Sequence, residues 1–187
     1  MKRPCTLLLI VSLAGCVGAG DRDLAAVEPT GDVLSDTAAL LVAAESARNK
    51  RERAPLVDRL NTMNVALMDG ATDDPLSEWR AQYQPSSATP FRGRTLGPAY
   101  RRARLEAGES VRIEQIFYAG ERADIAAQAS SGSNVALEIS NPREEAICAR
   151  PLAPRANCSW LPIFTERFSI ELENRGTEAT SIYLVFR

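Results

Sequence analysis

The clearest β-strand pattern of the chain is the stretch Phe168-Ser169-Ile170-Glu171-Leu172-Glu173-Asn174-Arg175-Gly176. Its apolar residues alternate with polar ones, which is the period of a half-buried β-strand, and its last three residues are a turn signal. The alternation recurs in four further sets: Val111, Ile113 and Gln115; Ala123, Ile125 and Ala127; Val135, Leu137 and Ile139; Ile182, Leu184 and Phe186. Shorter runs at 100–105 and 158–161 bring the total to about seven or eight strands, as in a two-sheet antiparallel sandwich.

The first half of the chain has the period of helices. A first helix begins at Asp32 or Ser35 and has the apolar face Leu34, Ala38, Leu41 and Val42. A second has Pro55 in its first turn, then Leu56, Leu60, Met63 and Leu67 on one side, and ends at Gly70. A third begins with Asp74 as its cap and Pro75 at its first position. These signals predict a small region of two to three helices ahead of the sandwich.

The N-terminus has the layout of an export signal. Lys2 and Arg3 precede a short apolar run that ends in Leu13-Ala14-Gly15-Cys16. The run is too short to span a bilayer as a helix, which takes about 20 residues. Its end resembles the lipobox of bacterial lipoproteins, which implies that Cys16 is acylated and becomes the first mature residue. Val17, in place of aspartate, favours the outer membrane, while the alternative is an ordinary cleaved signal in which Cys16 has no role.

These patterns divide the chain into five parts. We expect a signal peptide at 1–15, a lipidated tether at 16–31, a helical region at 32–83, a linker at 84–93 and the sandwich at 94–187. The linker prediction rests on the composition of Gln84-Pro85-Ser86-Ser87-Ala88-Thr89-Pro90. The expected fold class is mainly β with α, a C-terminal antiparallel β-sandwich preceded by a small helical segment.

Composition excludes several kinds of chemistry. The 187 residues include no histidine, which rules out Ser-His-Asp and Cys-His catalysis. Without Lys2 and Arg3 the chain has 20 basic and 24 acidic residues, a balance that argues against nucleic acid as a partner. A local group of arginines, Arg92, Arg94, Arg101, Arg102 and Arg104, is assigned to a solvated strand edge. No cofactor or metal is expected, since turn and cap chemistry accounts for the acids at 69–74.

Two cysteines remain once Cys5 leaves with the signal and Cys16 is lipidated. Cys148 and Cys158 are an even number in an exported, oxidising setting, so the simplest expectation is one disulfide. Metal ligation is the alternative, but no companion cysteine or histidine accompanies them.

Several strings in 94–187 occur in the order found in one family. They are Gly97-Pro98-Ala99-Tyr100, Leu105-Glu106-Ala107-Gly108-Glu109, Phe117-Tyr118-Ala119-Gly120-Glu121-Arg122-Ala123, the cysteine pair with Trp160 and Pro162, and Phe168 to Gly176. The region resembles the bacterial pre-peptidase C-terminal domain. This implies a jelly-roll sandwich that acts as a binding or accessory module without catalytic residues. The family's calcium site is not carried over, because the stretch from Ser130 to Glu138 has no aspartate.

Three functions are compatible with these observations. We expect a non-enzymatic envelope lipoprotein, held on the membrane through Cys16, whose sandwich binds another envelope protein. A carboxylate-based hydrolase is the third hypothesis, and it would need two facing acids with a raised pKa, for which Glu144 and Glu145 are the adjacent pair.

The second hypothesis is a carbohydrate- or polymer-binding module. It needs exposed aromatic side chains, for which Tyr100, Tyr118, Trp160, Phe164 and Tyr183 are the candidates. Trp160 and Tyr183 are the candidate ligand contacts: Tyr183 points away from its apolar neighbours, whereas Trp160, two residues after Cys158, also suits packing against a disulfide.

Overall fold

A computed structural model describes residues 27, 29–83, 97–130 and 134–187. The described residues form three helices: α1 (Val33–Ser46), α2 (Lys50–Thr62) and α3 (Pro75–Tyr83). They also form nine strands: β1 (Ala66–Leu67), β2 (Ala99–Leu105), β3 (Ser110–Phe117), β4 (Ala123–Ala129), β5 (Val135–Ser140), β6 (Ala146–Leu152), β7 (Arg155–Trp160), β8 (Glu166–Asn174) and β9 (Thr180–Phe186). Cys16, the predicted signal peptide and the predicted linker lie outside the described residues.

The strands form two sheets packed face to face. One has the order β1-β2-β9-β4-β7, and the other has the order β3-β8-β5-β6. Neighbours are antiparallel except for the parallel pair of β1 and β2. Strands β2 to β9 thus have the connectivity of a jelly roll, with β1 added at one edge. The predicted sandwich with preceding helices is confirmed.

The core between the sheets is built from the alternating apolar residues. Ile113, Ile125, Leu137, Ile139, Ile170, Leu172, Ile182 and Leu184 are each at most 2% exposed. Their burial on one face of each strand is what a period of two dictates. Val111 and Gln115, at the ends of the β3 pattern, are only half-buried.

The helices form a third layer on the outer face of the five-stranded sheet. Leucines of all three helices pack there against Tyr100, Ala126, Tyr183 and Val185. β9 is therefore buried on both faces, which accounts for its almost continuous apolar sequence. The prediction that Tyr183 contacts a ligand is wrong, because the helical layer covers the face to which it points and leaves none of it exposed.

The second helix begins and ends earlier than predicted. Asn49 Oδ1 accepts a hydrogen bond from the Glu52 amide at 3.1 Å, and Glu52 Oε2 accepts one from the Arg48 amide at 3.0 Å. This reciprocal cap starts the helix five residues before Pro55, which lies inside it. Leu67 is not in the helix at all, since it pairs with Tyr100 in the sheet. The predicted caps Asp32 of α1 and Asp74 of α3 are confirmed.

Gly97 allows β1 to lie beside the start of β2. A Cβ atom at this position would overlap the backbone carbonyl oxygens of Met63 and Asn64. The Ala66 amide donates to the Pro98 carbonyl at 3.1 Å. Only glycine fits where the two backbones approach this closely.

The disulfide joins the two sheets. Cys148 lies in β6 and Cys158 in β7, which are edge strands of different sheets, and the bond between them spans a Cα–Cα distance of 6.1 Å. The predicted disulfide is confirmed. The strand β6 itself has no matching prediction, because five of its seven residues are exposed and it lacks alternation.

Four polar side chains join the helical layer to the sheet, and we call them the polar clasp: Glu45, Asp73, Arg102 and Ser181. Arg102 donates from Nε and Nη2 to the two carboxylate oxygens of Asp73, both at 2.7 Å, and from Nη1 to Glu45 at 3.1 Å. The hydroxyl of Ser181 donates to the same Glu45 oxygen at 3.0 Å. Hydrogen bonding to Asp73 raises the pKa of Arg102. The expectation of a solvated strand edge is wrong for Arg102, because the loop before α3 covers it.

Candidate binding surface

Exposed apolar side chains gather at one end of the sandwich. Of the seven large ones exposed among the described residues, five lie where β3 leads into β4 and β7 leads into β8. Their exposed fractions are 44% for Ile116, 59% for Tyr118, 63% for Leu161, 81% for Ile163 and 62% for Phe164. We call residues 116–122 and 161–165 the apolar loop pair.

Two hydrogen bonds donated by backbone amides join the two loops. The Gly120 amide donates to the Pro162 carbonyl at 2.9 Å, and the Ala119 amide donates to Thr165 Oγ1 at 3.0 Å. Gly120 has φ of 76°, a turn conformation that glycine adopts without strain. The hydrogen bonds between the loops therefore hold the exposed apolar side chains in fixed positions relative to each other.

An aromatic cluster supports the apolar loop pair from below. Trp160 packs edge-on against Phe117 with ring centroids 4.8 Å apart, and its centroid lies 5.3 Å from that of Phe168. Phe117 and Phe168 are buried and Trp160 is half-buried. Trp160 thus mainly supports the loops from the core side, and it is Tyr118 and Phe164 that present aromatic surface to solvent.

Two clefts lie on the side of α1, and the first of them adjoins this end of the sandwich. Their volumes are about 500 and 520 Å³, and they share Asp32, Arg150 and Asn157 in their walls. The first is also lined by Arg122 and Arg187, and the second by Arg155. We call them together the arginine clefts. A smaller cavity of about 240 Å³ is lined by Tyr118 of the apolar loop pair and shares Arg122 and Arg187 with the first cleft.

The carboxylates of the arginine clefts are already engaged. Asp32 Oδ2 accepts hydrogen bonds from the Ser35 amide and from Asn157 Nδ2, both at 3.1 Å. Burial tends to raise the pKa of Asp32, but hydrogen bonds from Ser35, Leu34 and Asn157 outweigh it and hold that pKa below its usual value. Asp124 accepts from Arg122 Nε at 3.0 Å.

The guanidinium groups are less engaged than the carboxylates. Arg150, Arg155 and Arg187 are exposed, and within the described ranges none of them forms an ion pair. The arginine clefts together are lined by four arginines and two aspartates, so positive side-chain charge exceeds negative there although the chain as a whole has a net charge of −2.

The adjacent acids Glu144 and Glu145 do not form the arrangement that hydrolysis needs. Both are exposed in the loop between β5 and β6, and Glu145 accepts from Asn141 Nδ2 at 2.6 Å. That hydrogen bond and the charge of Arg143 lower the pKa of Glu145, whereas a general acid needs a raised one.

Neither a metal-binding cluster nor a membrane-crossing helix occurs in the part of the chain that the structure describes. No three or more cysteine, aspartate or glutamate side chains gather there in a way that could hold a metal ion. No helix in that part is both long enough and apolar enough to cross a membrane.

Comparison with known proteins identifies no family. No family model matches the chain, and no curated protein matches it in sequence. The solved structures that resemble part of it include the periplasmic inhibitor PliG of g-type lysozyme from Aeromonas hydrophila, with a TM-score of 0.35, 16% identity and coverage of 48% of this chain and 83% of that one. The pre-peptidase C-terminal domain of a Bacillus anthracis collagenase has a TM-score of 0.40, 9% identity and coverage of 48% and 88%.

An enzyme is among the similar structures as well. A sugar phosphate isomerase of the cupin superfamily from Silicibacter pomeroyi has a TM-score of 0.29, 14% identity and coverage of 48% of this chain and 49% of that one. At these scores the resemblances carry no function over to this chain, and its function has to be argued from its own surface.

Proposed function

We propose that this chain is a lipid-anchored protein of the bacterial envelope whose sandwich binds a protein partner through the apolar loop pair. The observation that carries the proposal is the gathering of five exposed large apolar side chains on two loops that are hydrogen-bonded to each other. Scattered apolar residues are ordinary on a surface, but a contiguous patch on a rigid support is typical of an interaction site.

The composition of the apolar loop pair favours a protein as the partner. Leu161, Ile163 and Phe164 have no polar group to offer a sugar, whereas aliphatic and aromatic anchors of this kind fill pockets at protein interfaces. The alternative of a carbohydrate- or polymer-binding module keeps two exposed aromatic candidates, Tyr118 and Phe164, and loses its best support, because Trp160 is half-buried and Tyr183 is fully buried. No observation on the described surface favours it over a protein partner.

The lipid anchor supplies the envelope part of the proposal. Cys16 would carry the acyl chains, and it lies eleven positions before Val27, whose carbonyl accepts from Arg59 of α2 at 3.3 Å. A chain segment of that length reaches at most about 36 to 40 Å, so the sandwich would remain close to the bilayer. Its partner would accordingly be a protein of the same membrane or of the adjoining compartment.

Site-specific photo-crosslinking in intact cells tests the partner. A photoreactive amino acid at Leu161 is expected to give a reproducible protein adduct, and one at Thr177, exposed at the opposite end of the sandwich, is expected to give none. Adding Ile163→Ser and Phe164→Ser should remove the adduct while leaving the thermal unfolding temperature nearly unchanged, because both side chains are exposed. Equal adducts from both positions, or none from Leu161, would refute the proposed binding surface.

The anchor has its own test. Cys16→Ser should abolish labelling of the protein by a radioactive or clickable fatty acid and release it from the membrane fraction, because the thiol is the acylated group. Cys5→Ser is the matched control and should leave labelling intact. Persistent labelling of the Cys16→Ser protein would exclude the lipobox assignment.

A further inference from the structure

We infer that the arginine clefts bind a carboxylate-rich segment of the same partner, so that the partner is acidic where it meets this chain. The inference rests on the proposed function, since it assigns the chemistry of the protein that the apolar loop pair contacts. Three guanidinium groups of the arginine clefts, those of Arg150, Arg155 and Arg187, have no ion-pair partner among the described residues. The carboxylates beside them already accept hydrogen bonds.

The side chains present select for carboxylate groups. Three different parts of the sandwich supply the arginines: β6 contains Arg150, β7 contains Arg155, and Arg187 follows β9. All three line a cleft beside the start of α1. A guanidinium group is planar and offers paired donors that match the two oxygens of a carboxylate. Asn157 and Ser159, which also line the first cleft, add polar groups without adding negative charge.

The spacing of the arginines fits an extended segment better than a single anion. Arg122 Nε donates to Ser159 Oγ at 2.9 Å, which places Arg122 beside the far end of β7 from Arg155. Ser159 and Arg155 are four residues apart on the strand, or about 13 Å at roughly 3.3 Å per residue. A lone phosphate or sulfate would occupy only part of that length, whereas several acidic side chains on an extended chain would occupy both ends of it.

The clefts and the apolar loop pair form one continuous surface. Arg122 and Arg187 line both the first cleft and the smaller cavity beside Tyr118. The Arg187 amide donates to the Asp124 carbonyl at 3.1 Å and its carbonyl accepts from the Asp124 amide at 3.2 Å, which fixes Arg187 at this junction. A partner that packs on Tyr118 therefore reaches the first cleft along the same surface.

Binding of a fluorescein-labelled hexaglutamate peptide to the full mature chain, kept in solution by Cys16→Ser, tests the inference by fluorescence anisotropy. The triple variant Arg150→Gln, Arg155→Gln and Arg187→Gln is expected to bind the peptide about tenfold more weakly than the parent. The matched control is Arg48→Gln, Arg51→Gln and Arg104→Gln, which removes three exposed arginines elsewhere and should stay within about twofold. No binding by the parent, or equal losses in both triple variants, would overturn the inference.

Two other occupants are separated by further arms of the same experiment. If vesicles of phosphatidylcholine and phosphatidylglycerol bind the parent but not the cleft variant, and hexaglutamate does not bind, the clefts face a membrane and the inference is wrong. If Asp21→Asn with Asp23→Asn strengthens hexaglutamate binding about tenfold, the chain's own tether fills the clefts and the assignment to a partner is overturned.

Failure of the inference can be told apart from failure of the proposed function. If the adduct at Leu161 forms equally in the parent and in the cleft variant, the partner exists but does not use the arginine clefts. If hexaglutamate binds as expected and no adduct forms at Leu161, the clefts bind acidic peptides and the proposed partner surface is wrong.

Discussion

At the scale of single residues, the missing side chain of Gly97 allows the backbone there to approach the carbonyl oxygens of Met63 and Asn64. We expect Gly97→Ala to lower the free energy of unfolding by about 1 to 3 kcal/mol, because the added Cβ meets backbone oxygens that cannot move without disturbing the pairing of β1 with β2. Urea denaturation measures the change. Ala149→Ser, which also adds one heavy atom but at an exposed position of β6, should leave stability within about 0.5 kcal/mol, and a similar loss there would contradict the explanation.

The position of an aromatic residue in the alternating pattern predicts the face of the sheet to which its side chain points. It does not predict which other element covers that face. Tyr183 points away from the core between the sheets, as alternation requires, yet α1 lies over it. Phe164 was one candidate among five, and its exposure follows from the hydrogen bonds between two loops that are distant in sequence. Neither the helical layer over the sheet nor the pairing of loops leaves a local sequence signal.

At the scale of elements, the start of α1 depends on Asp32. We expect Asp32→Ala to cost about 1 kcal/mol at neutral pH, because the side chain caps the helix and also accepts from Asn157 of β7. Asp58→Ala, an exposed aspartate within α2 that is not its N-cap, is the matched control and should cost less.

The cost of losing Asp32 should also depend on pH. Its pKa is lower in the folded chain than in the unfolded chain, so the ionised form stabilises the fold above the unfolded value of about 3.9 and this contribution is lost as pH falls through the folded value. Urea denaturation at pH 7 and near pH 3 should therefore show the difference between parent and Asp32→Ala shrinking in acid. A difference that grows in acid would contradict the assigned sign.

Elements with strong local signals could be predicted, and those held by distant contacts could not. The caps Asp32 and Asp74 and five alternating strands come from neighbouring residues. In contrast, β6 has exposed residues on both faces and is fixed by pairing with β5 and by the disulfide. Leu67 continues a helical spacing, but pairing with β2 draws it into the sheet.

At the scale of the whole molecule, the disulfide holds the edges of the two sheets together. Cys148→Ala with Cys158→Ala should lower the free energy of unfolding by roughly 2 to 3 kcal/mol, the value expected for closing a loop of 10 residues. Urea denaturation with and without dithiothreitol measures it: reduction should weaken the parent by a similar amount and leave the double variant unaffected. An effect of the reductant on the double variant, or none on the parent, would contradict this assignment.

The position of β9 in the five-stranded sheet has a consequence for how the chain is made. β9 lies between β2 and β4 and is covered on both faces, yet it is the last of the described strands to leave the ribosome. Before β9 is made, β2 and β4 lack the strand that lies between them, and the helices lack the sheet surface on which they pack. Pairings between strands so far apart in sequence form slowly. The five-stranded sheet and the helical layer on its outer face are therefore completed only when the last described strand has been made, and a copy that stops short of β9 is expected to be cleaved by proteases.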